Sequence, residues 1–134
     1  MIGRMRANRT VQGLGIAAVA FGALTIASGG RALFGGPDVR ASYGNAVPFV
    51  LWFNFLAGFV YVLAGTGLLM HRRWAVSMAL FLAFSTILIF AAFGMHIAGG
   101  GAFEMRTVQA LTARSLFWIA VAAYSTRAMK KNLL

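Results

Sequence analysis

The middle of the chain reads AVPFVLWFNFLAGFVYVLAGTGLLMHRRWAVSMALFLAFSTILIFAAFGMHIA over residues 46–98. Only three residues, His71, Arg72 and Arg73, separate two long uncharged runs in this stretch. A helix needs about 20 predominantly apolar residues to cross the hydrocarbon core of a bilayer, and both runs are long enough. Because so short a connection brings consecutive helices back alongside each other, the stretch predicts an antiparallel pair of membrane-spanning helices.

Two further apolar runs flank this central pair. Residues 11–30 carry no charge, and residues 107–124 carry a single charge, that of Arg114. We therefore predict an all-α polytopic membrane protein with one domain, in which four transmembrane helices form an antiparallel bundle. The predicted spans cover residues 11–30, 47–70, 74–98 and 107–124. Segments rich in glycine, at 35–37 and 99–101, are expected to form the loops that join the outer helices to the central pair.

The composition excludes several classes of protein. Of the 134 residues, 60% are hydrophobic and 10% are charged, whereas a water-soluble surface needs about 25–35% Lys, Arg, Glu and Asp. A soluble enzyme and a DNA-binding module are therefore excluded. The chain has no cysteine, which also excludes a disulfide scaffold, a thiolate nucleophile and an iron–sulfur cluster.

Apart from Arg114, the basic residues flank the apolar runs, and the 12 Lys and Arg residues outnumber the two acidic residues to give a formal net charge of +10. This placement is typical of residues that contact anionic lipid at a membrane surface. It does not form the basic stripe with interleaved aromatic residues that would indicate nucleic-acid binding. We expect the lipid bilayer to be a partner and nucleic acid not to be one.

The predicted bundle has an uneven distribution of basic residues between its two ends. Short loops rich in Lys and Arg are retained on the cytoplasmic side of a membrane. We therefore predict that both termini are cytoplasmic and that the protein is integral to a bacterial inner (plasma) membrane. The more basic end carries Arg4, Arg6, Arg9, Arg72, Arg73, Arg127, Lys130 and Lys131, and the opposite end carries Arg31, Arg40 and Arg106.

Small residues recur at helical spacing in the first two predicted spans. Gly15, Gly22 and Gly29 repeat every seven residues, and Gly58 and Gly65 are separated by the same interval. Lipid supplies no hydrophobic force that would bring helices together, so close packing in membranes depends on small residues that let backbones approach. We predict that these five glycines lie at helix–helix contacts.

One charged residue within a predicted span suggests a binding site. An intramembrane arginine costs about 2.5–3.5 kcal/mol on insertion scales and is a functional hypothesis by default. Arg114 lies about 10 Å along its span from residue 107, at 1.5 Å per residue. The predicted topology places Asn54, His96 and Glu104 at a similar depth on the noncytoplasmic side, and Glu104 is the nearest candidate partner for the arginine. We predict that these four residues form a small polar cluster able to bind an anion or a lipid headgroup.

The same residues do not suggest catalysis or a cofactor. His71 and His96 lie at opposite ends of one predicted helix, about 37 Å apart, so they cannot ligate one haem or one metal ion. The triple glycine at 99–101 lacks the lysine of a phosphate-binding loop. We expect no catalytic residue, no metal and no cofactor.

Three functions remain open at this point. The short polar segments and the few polar residues within the spans favour a non-enzymatic integral membrane subunit or accessory factor of a larger membrane protein complex. The second possibility is a small homo-oligomeric transporter or channel for an anionic or lipid-like solute, with Arg114 on its path. The third is a metal- or quinone-binding membrane protein that uses His96.

Overall fold

The computed structural model describes residues 9–42, 44 and 47–131. It contains the helices α1 (Arg9–Phe34), α2 (Pro37–Ser42), α3 (Pro48–Leu69), α4 (Trp74–Ala98) and α5 (Met105–Lys131). No strand is present among the described residues, so the predicted all-α class is confirmed. Arg4 and Arg6, which contribute to the predicted charge asymmetry, lie outside the described residues.

Three of the four long helices, α1, α3 and α4, are long and apolar enough to cross a membrane. Helix α5 has 27 residues and is also long enough, but Gln109, Arg114 and several hydroxyl-bearing residues make it less apolar. Three of the four predicted spans are therefore confirmed as helices with the length and apolar character needed to cross a membrane.

The loop predicted between the first two long helices contains additional helix. Helix α1 continues past residue 30 because Ala32 and Leu33 are buried and because the ring of Phe34 packs 5.7 Å from that of Trp52. Gly36, with φ of +91°, then turns the chain into α2. Proline suits the first turn of a helix, and an acidic residue is stabilising there, so Pro37 and Asp38 favour this short helix.

The turn between α3 and α4 is tight and hydrogen-bonded. The backbone N–H of Arg72 donates to the carbonyl of Gly67 at 2.8 Å, and that of His71 donates to the carbonyl of Leu68 at 3.0 Å. This pair of bonds is the Schellman motif, in which the residue after the helix adopts a left-handed conformation. His71 occupies that position with φ of +54°. The motif reverses the chain within a few residues and sets α4 against α3.

The four long helices close into a bundle in the order α1, α3, α4, α5, with α5 returning to α1. Helix α1 packs most extensively on α3, and its contact with α5 is far smaller. Helices α3 and α5 therefore lie diagonally opposite each other, and side chains fill the space between them. Successive long helices run in opposite directions.

Glycines allow the close approach of α1 and α3. A Cβ atom at Gly15 would lie 2.8 Å from the carbonyl oxygen of Gly65, and one at Gly22 would lie 2.8 Å from that of Gly58. Both distances are too short for a side chain, so the two backbones are in direct contact. The glycines at this contact are Gly15, Gly22, Gly29, Gly58 and Gly65.

Four aromatic side chains, Phe21, Tyr61, Phe117 and Trp118, form an aromatic layer across the interior. The rings of Tyr61 and Trp118 lie 4.9 Å apart between α3 and α5, and both residues are fully buried. Phe21 of α1 joins the layer at 5.4 Å from Tyr61 and 5.3 Å from Phe117. The aromatic layer thus fills the diagonal of the bundle and links α1, α3 and α5.

Candidate functional site

A half-open cavity of about 190 Å³, here called the polar cavity, lies where α1 ends and where α3 and α5 begin. Its walls come from these three helices and from the residues just before α5. It is lined by Ser28, Val47, Val50, Leu51, Asn54, Glu104, Arg106, Thr107, Ala110 and Arg114. Charged and neutral polar groups therefore share one small volume with apolar side chains at this end of the bundle.

Arg114 lines the polar cavity and is held by neutral groups. Its Nη1 donates to the hydroxyl of Thr25 at 2.9 Å and to the hydroxyl of Tyr61 at 3.3 Å. Its guanidinium carbon lies 4.9 Å from the ring centroid of Phe21, within the range of a cation–π interaction. Side chains from α1 and α3 thus orient an arginine that belongs to α5, next to the aromatic layer.

Glu104 does not pair with Arg114, contrary to the expectation that it would be the arginine's partner. Its Oε1 instead lies 3.9 Å from Nη2 of Arg106, because Glu104 precedes α5 and is almost three helical turns from Arg114. The chain has only two acidic residues, and the other, Asp38, lies in the first turn of α2. Among the described residues, Arg114 therefore has no carboxylate partner.

Two buried polar atoms at the polar cavity lack hydrogen-bond partners among the described residues. They are Oδ1 of Asn54, an acceptor, and Nε of Arg114, a donor. A buried polar atom left unpaired costs about 1–3 kcal/mol. Both atoms belong to residues that line the cavity but are themselves buried, so a bound group would pair with them only after a shift of these side chains.

Gly44, which lies outside the helices, packs against the side chain of Glu104. A Cβ atom at Gly44 would lie 3.0 Å from Oε2 of Glu104, and Gly44 has φ of +64°. Both the conformation and the close approach favour glycine at this position. The backbone at residue 44 therefore packs directly on the carboxylate at the edge of the polar cavity.

His96 has its own set of contacts at the end of α4. Its Nε2 lies 2.9 Å from the carbonyl oxygen of Ala102, to which the ring donates when that nitrogen is protonated. The ring lies 6.4 Å from Phe93 in a stacked arrangement and 6.2 Å from Phe49. These contacts hold the imidazole against the segment that leads into α5.

The glycines after α4 make this position of His96 possible. The N–H of Gly101 donates to the carbonyl of His96 at 2.9 Å, and that of Gly100 donates to Ile97 at 3.0 Å. This is a second Schellman motif, with Gly100 at φ of +86°. A Cβ atom at Gly101 would overlap the His96 ring, so residue 101 has to be a glycine in this arrangement.

The structure brings three of the four predicted cluster residues to one place. Asn54, Glu104 and Arg114 line the polar cavity, whereas His96 is not among its lining residues. Within the part of the chain that the structure describes, no three His, Asp or Glu side chains are grouped as metal ligands. The arrangement is suited to holding an anionic group.

The two hydroxyl partners of Arg114 are not apparent from the spacing of charged residues along the chain. Thr25 falls between Gly22 and Gly29 of the glycine repeat in α1, and Tyr61 falls between the two repeated glycines of α3. Both hydroxyls therefore lie on the helix faces that the glycine spacing assigns to packing. These hydroxyls lie on packing faces, and an arginine lies in another predicted span. Together they form the sequence pattern from which the hydrogen bonds could have been predicted.

Comparison with known proteins matches no protein-family model, no curated protein and no solved structure. The geometry of the chain itself is therefore the basis for assigning its function.

Proposed function

We propose that this chain is a non-enzymatic integral membrane protein that serves as a subunit or accessory factor of a larger membrane protein complex. The observation that carries this proposal is the distribution of apolar and polar groups over the bundle. Large apolar side chains are exposed on its helices, such as Leu24 (70% exposed), Phe84 (64%) and Leu116 (63%). In a membrane such faces contact lipid or the helices of another protein, and the polar cavity is too small to house a substrate together with a cofactor.

We further infer that α5 is a fourth transmembrane helix. Its length of 27 residues is sufficient, and it packs beside both α4 and α1. Its single interior charge, on Arg114, is stabilised by hydroxyl groups and aromatic rings that come from other helices. With four spans both termini lie on the same side, and the excess of basic residues there supports our proposal that this side is the cytoplasmic side of a bacterial inner membrane.

Co-purification tests the proposed role as a subunit. A C-terminally tagged copy is extracted from its own membranes in mild detergent and analysed by native electrophoresis and mass spectrometry. We expect other membrane proteins at fixed stoichiometry. An unrelated four-span protein with the same tag and expression level controls for nonspecific capture. Recovery of a homo-oligomer without partners would contradict the proposal.

A homo-oligomeric transporter or channel for an anionic or lipid-like solute is the second candidate. The specific observation in its favour is the positive charge of Arg114 at the polar cavity. The fully buried rings of Tyr61 and Trp118 lie next to this arginine, which favours binding over passage through a single chain. Loss of anion flux from liposomes in Arg114→Gln, but not in Arg127→Gln, would support transport.

The third possibility, a metal or quinone at His96, has less support. The Nε2 atom of His96 already contacts the carbonyl oxygen of Ala102, and the ring lies outside the polar cavity. A ligand at this nitrogen would have to displace that contact. Purification under gentle conditions, followed by metal analysis and absorption spectroscopy, tests for a bound metal or chromophore.

A further inference from the structure

We propose that the polar cavity binds the headgroup of a membrane lipid that carries one negative charge on a phosphodiester and a hydrogen-bond donor beside it. The proposal rests on the inferred position of α5 in the membrane, but it does not depend on the role as a subunit. Arg114 would hold the phosphodiester, and Asn54 would accept a hydrogen bond from the headgroup.

The charges of the polar cavity favour a singly charged anion. Two arginines and one glutamate line it, and the glutamate lies 3.9 Å from Arg106. This pair offsets its own charges and leaves one positive charge, that of Arg114. A group with a single negative charge would neutralise the cavity.

The guanidinium of Arg114 has a donor left for such a group. Nη1 is engaged by Thr25 and Tyr61, whereas Nε has no partner among the described residues. The hydroxyls and the Phe21 ring orient the side chain but supply no negative charge. Arginine binds phosphate and carboxylate oxygens through two adjacent N–H groups in charge-assisted bonds, so an oxyanion is the natural partner for the free side of this fork.

Asn54 adds a requirement that distinguishes among headgroups. Its Oδ1 is buried without a donor among the described residues, and an amide oxygen can only accept. A headgroup with a hydroxyl or ammonium near its phosphodiester would supply this donor once the amide turns toward the cavity. A phosphoglycerol headgroup has one negative charge and hydroxyl donors, whereas a phosphocholine headgroup has no donor.

The size and position of the polar cavity suit a lipid headgroup. Its volume of about 190 Å³ is below the roughly 300–1,000 Å³ typical of sites that enclose a whole small molecule. The headgroup would enter while the acyl chains remain outside. The limited contact between α1 and α5 and the exposed position of Ser28 on the cavity wall provide a side through which the chains can reach the bilayer.

Thermal unfolding of the purified full-length chain in detergent tests the proposal. Three probes are compared at equal concentration: dioleoyl phosphatidylglycerol, dioleoyl phosphatidylcholine and inorganic phosphate. We expect phosphatidylglycerol alone to raise the unfolding midpoint and to remain bound at one molecule per chain in native mass spectrometry. An equal response to inorganic phosphate would support the oxyanion site but assign it to a soluble anion. An equal response to phosphatidylcholine would overturn the proposal.

Two variants assign any response to the polar cavity. Arg114→Gln removes the charge, and we expect its affinity for phosphatidylglycerol to fall by about tenfold or more. Arg127→Gln removes an exposed charge from the same helix and should bind as the unaltered chain does. Arg114→Gln binding with unaltered affinity would contradict the proposal.

Asn54→Asp provides a second test in which Arg114 is retained. The new carboxylate supplies the missing negative charge within the cavity, so we expect a higher unfolding midpoint without lipid and no further rise with phosphatidylglycerol. A variant that still responds fully to the lipid would overturn the proposal. These results are independent of co-purifying partners, so failure of the lipid site and failure of the subunit role are distinguishable.

Discussion

Arg114 shows how a small bundle can hold a charge with neutral side chains alone. Its partners are the hydroxyls of Thr25 and Tyr61 and the ring of Phe21. Each is fixed by its own helix, and Thr25 and Tyr61 are buried. The arginine is therefore oriented by groups that do not neutralise it, which leaves its charge available to a ligand.

Thr25→Val tests the contribution of one hydroxyl. Valine nearly matches threonine in shape but cannot accept the hydrogen bond from Arg114, so we expect a loss of about 1 kcal/mol in the free energy of unfolding, the scale of hydrogen bonds between membrane helices. Thr112→Val is the control, because the Thr112 hydroxyl is exposed and donates only to Val108 of its own helix. Unfolding in detergent is followed by circular dichroism. Equal losses in the two variants would show that the Thr25 hydroxyl has no special role.

The residue pattern predicted part of the candidate site. Run lengths and alternating helix directions place Asn54, Glu104 and Arg114 near one end of the bundle, and the structure has all three at one cavity. The same depth along the helices also predicts His96 as a member, but depth does not give the direction in which a side chain points. The direction of its ring depends on the Schellman turn and on contacts with Phe49 and Phe93, which spacing along the chain does not reveal.

The pairing of α1 with α3 is the closest in the bundle, and backbone contact between glycines accounts for it. Carbonyl oxygens of Gly58 and Gly65 occupy the space that side chains would need at Gly22 and Gly15. Dispersion contacts between closely packed backbones are the main source of helix association where the surroundings are as apolar as the helix surface. Even a methyl group on this face should therefore separate the two helices.

Gly22→Ala is expected to destabilise the bundle by about 1–3 kcal/mol, the range for forcing an extra group into a packed interface. Its Cβ would lie 2.7 Å from a methyl group of Val62 and 2.8 Å from the carbonyl of Gly58. Gly13→Ala is the matched control on the same helix, since a Cβ there meets nothing within 4 Å. The control should be neutral or slightly stabilising, because alanine has the higher helix propensity. Denaturation with sodium dodecyl sulfate measures both, and similar midpoints would argue against close packing at Gly22.

At the level of elements, long uncharged runs were sufficient to predict α3 and α4 to within a residue or two of their observed ends. The glycines and proline at 35–37 predicted only a loop before α3. They could not reveal α2, because the same residues either end a helix or begin one, depending on contacts made elsewhere. The extension of α1 to Phe34 depends likewise on its packing against Trp52 and Phe55.

On the diagonal between α3 and α5, side chains fill the interior of the bundle, and the two backbones are not in contact. Helices α3 and α5 meet through side chains: the rings of Tyr61 and Trp118 lie 4.9 Å apart, and Arg114 donates to the hydroxyl of Tyr61. Helix α5 thus belongs to the same packed interior as the three more apolar helices. A four-span topology agrees with this packing, and it predicts which end of the bundle lies on each side of the membrane.

Single cysteines test this topology directly, because the chain has none of its own. We expect Arg72→Cys and Arg127→Cys to react with a membrane-impermeant maleimide only after cells are permeabilised, and Ala102→Cys to react in intact cells. Ala79→Cys, at a fully buried position, should remain unlabelled in both conditions. If α5 does not cross the membrane, Arg127→Cys will instead behave like Ala102→Cys.

Sequence alone predicts three of the membrane-spanning helices more readily than it predicts the fourth. Apolar length predicts which segments can cross a membrane, and three helices satisfy it plainly. For α5 the decisive fact is whether other helices supply partners for Arg114, and this depends on contacts between residues 89 and 53 positions apart along the chain. Hydropathy averaged over a short stretch of sequence contains no information on such contacts.

The origin of those partners also affects how the protein is made. Thr25 and Tyr61 leave the ribosome well before Arg114, so in the four-span topology their hydroxyls are already in the bilayer when the arginine arrives. Helix α5 then inserts beside helices that already carry its hydrogen-bond partners. Its insertion is therefore coupled to the assembly of the earlier helices. The same helix synthesised alone would face lipid with its charge unassisted, and we expect it to be rejected by the translocon.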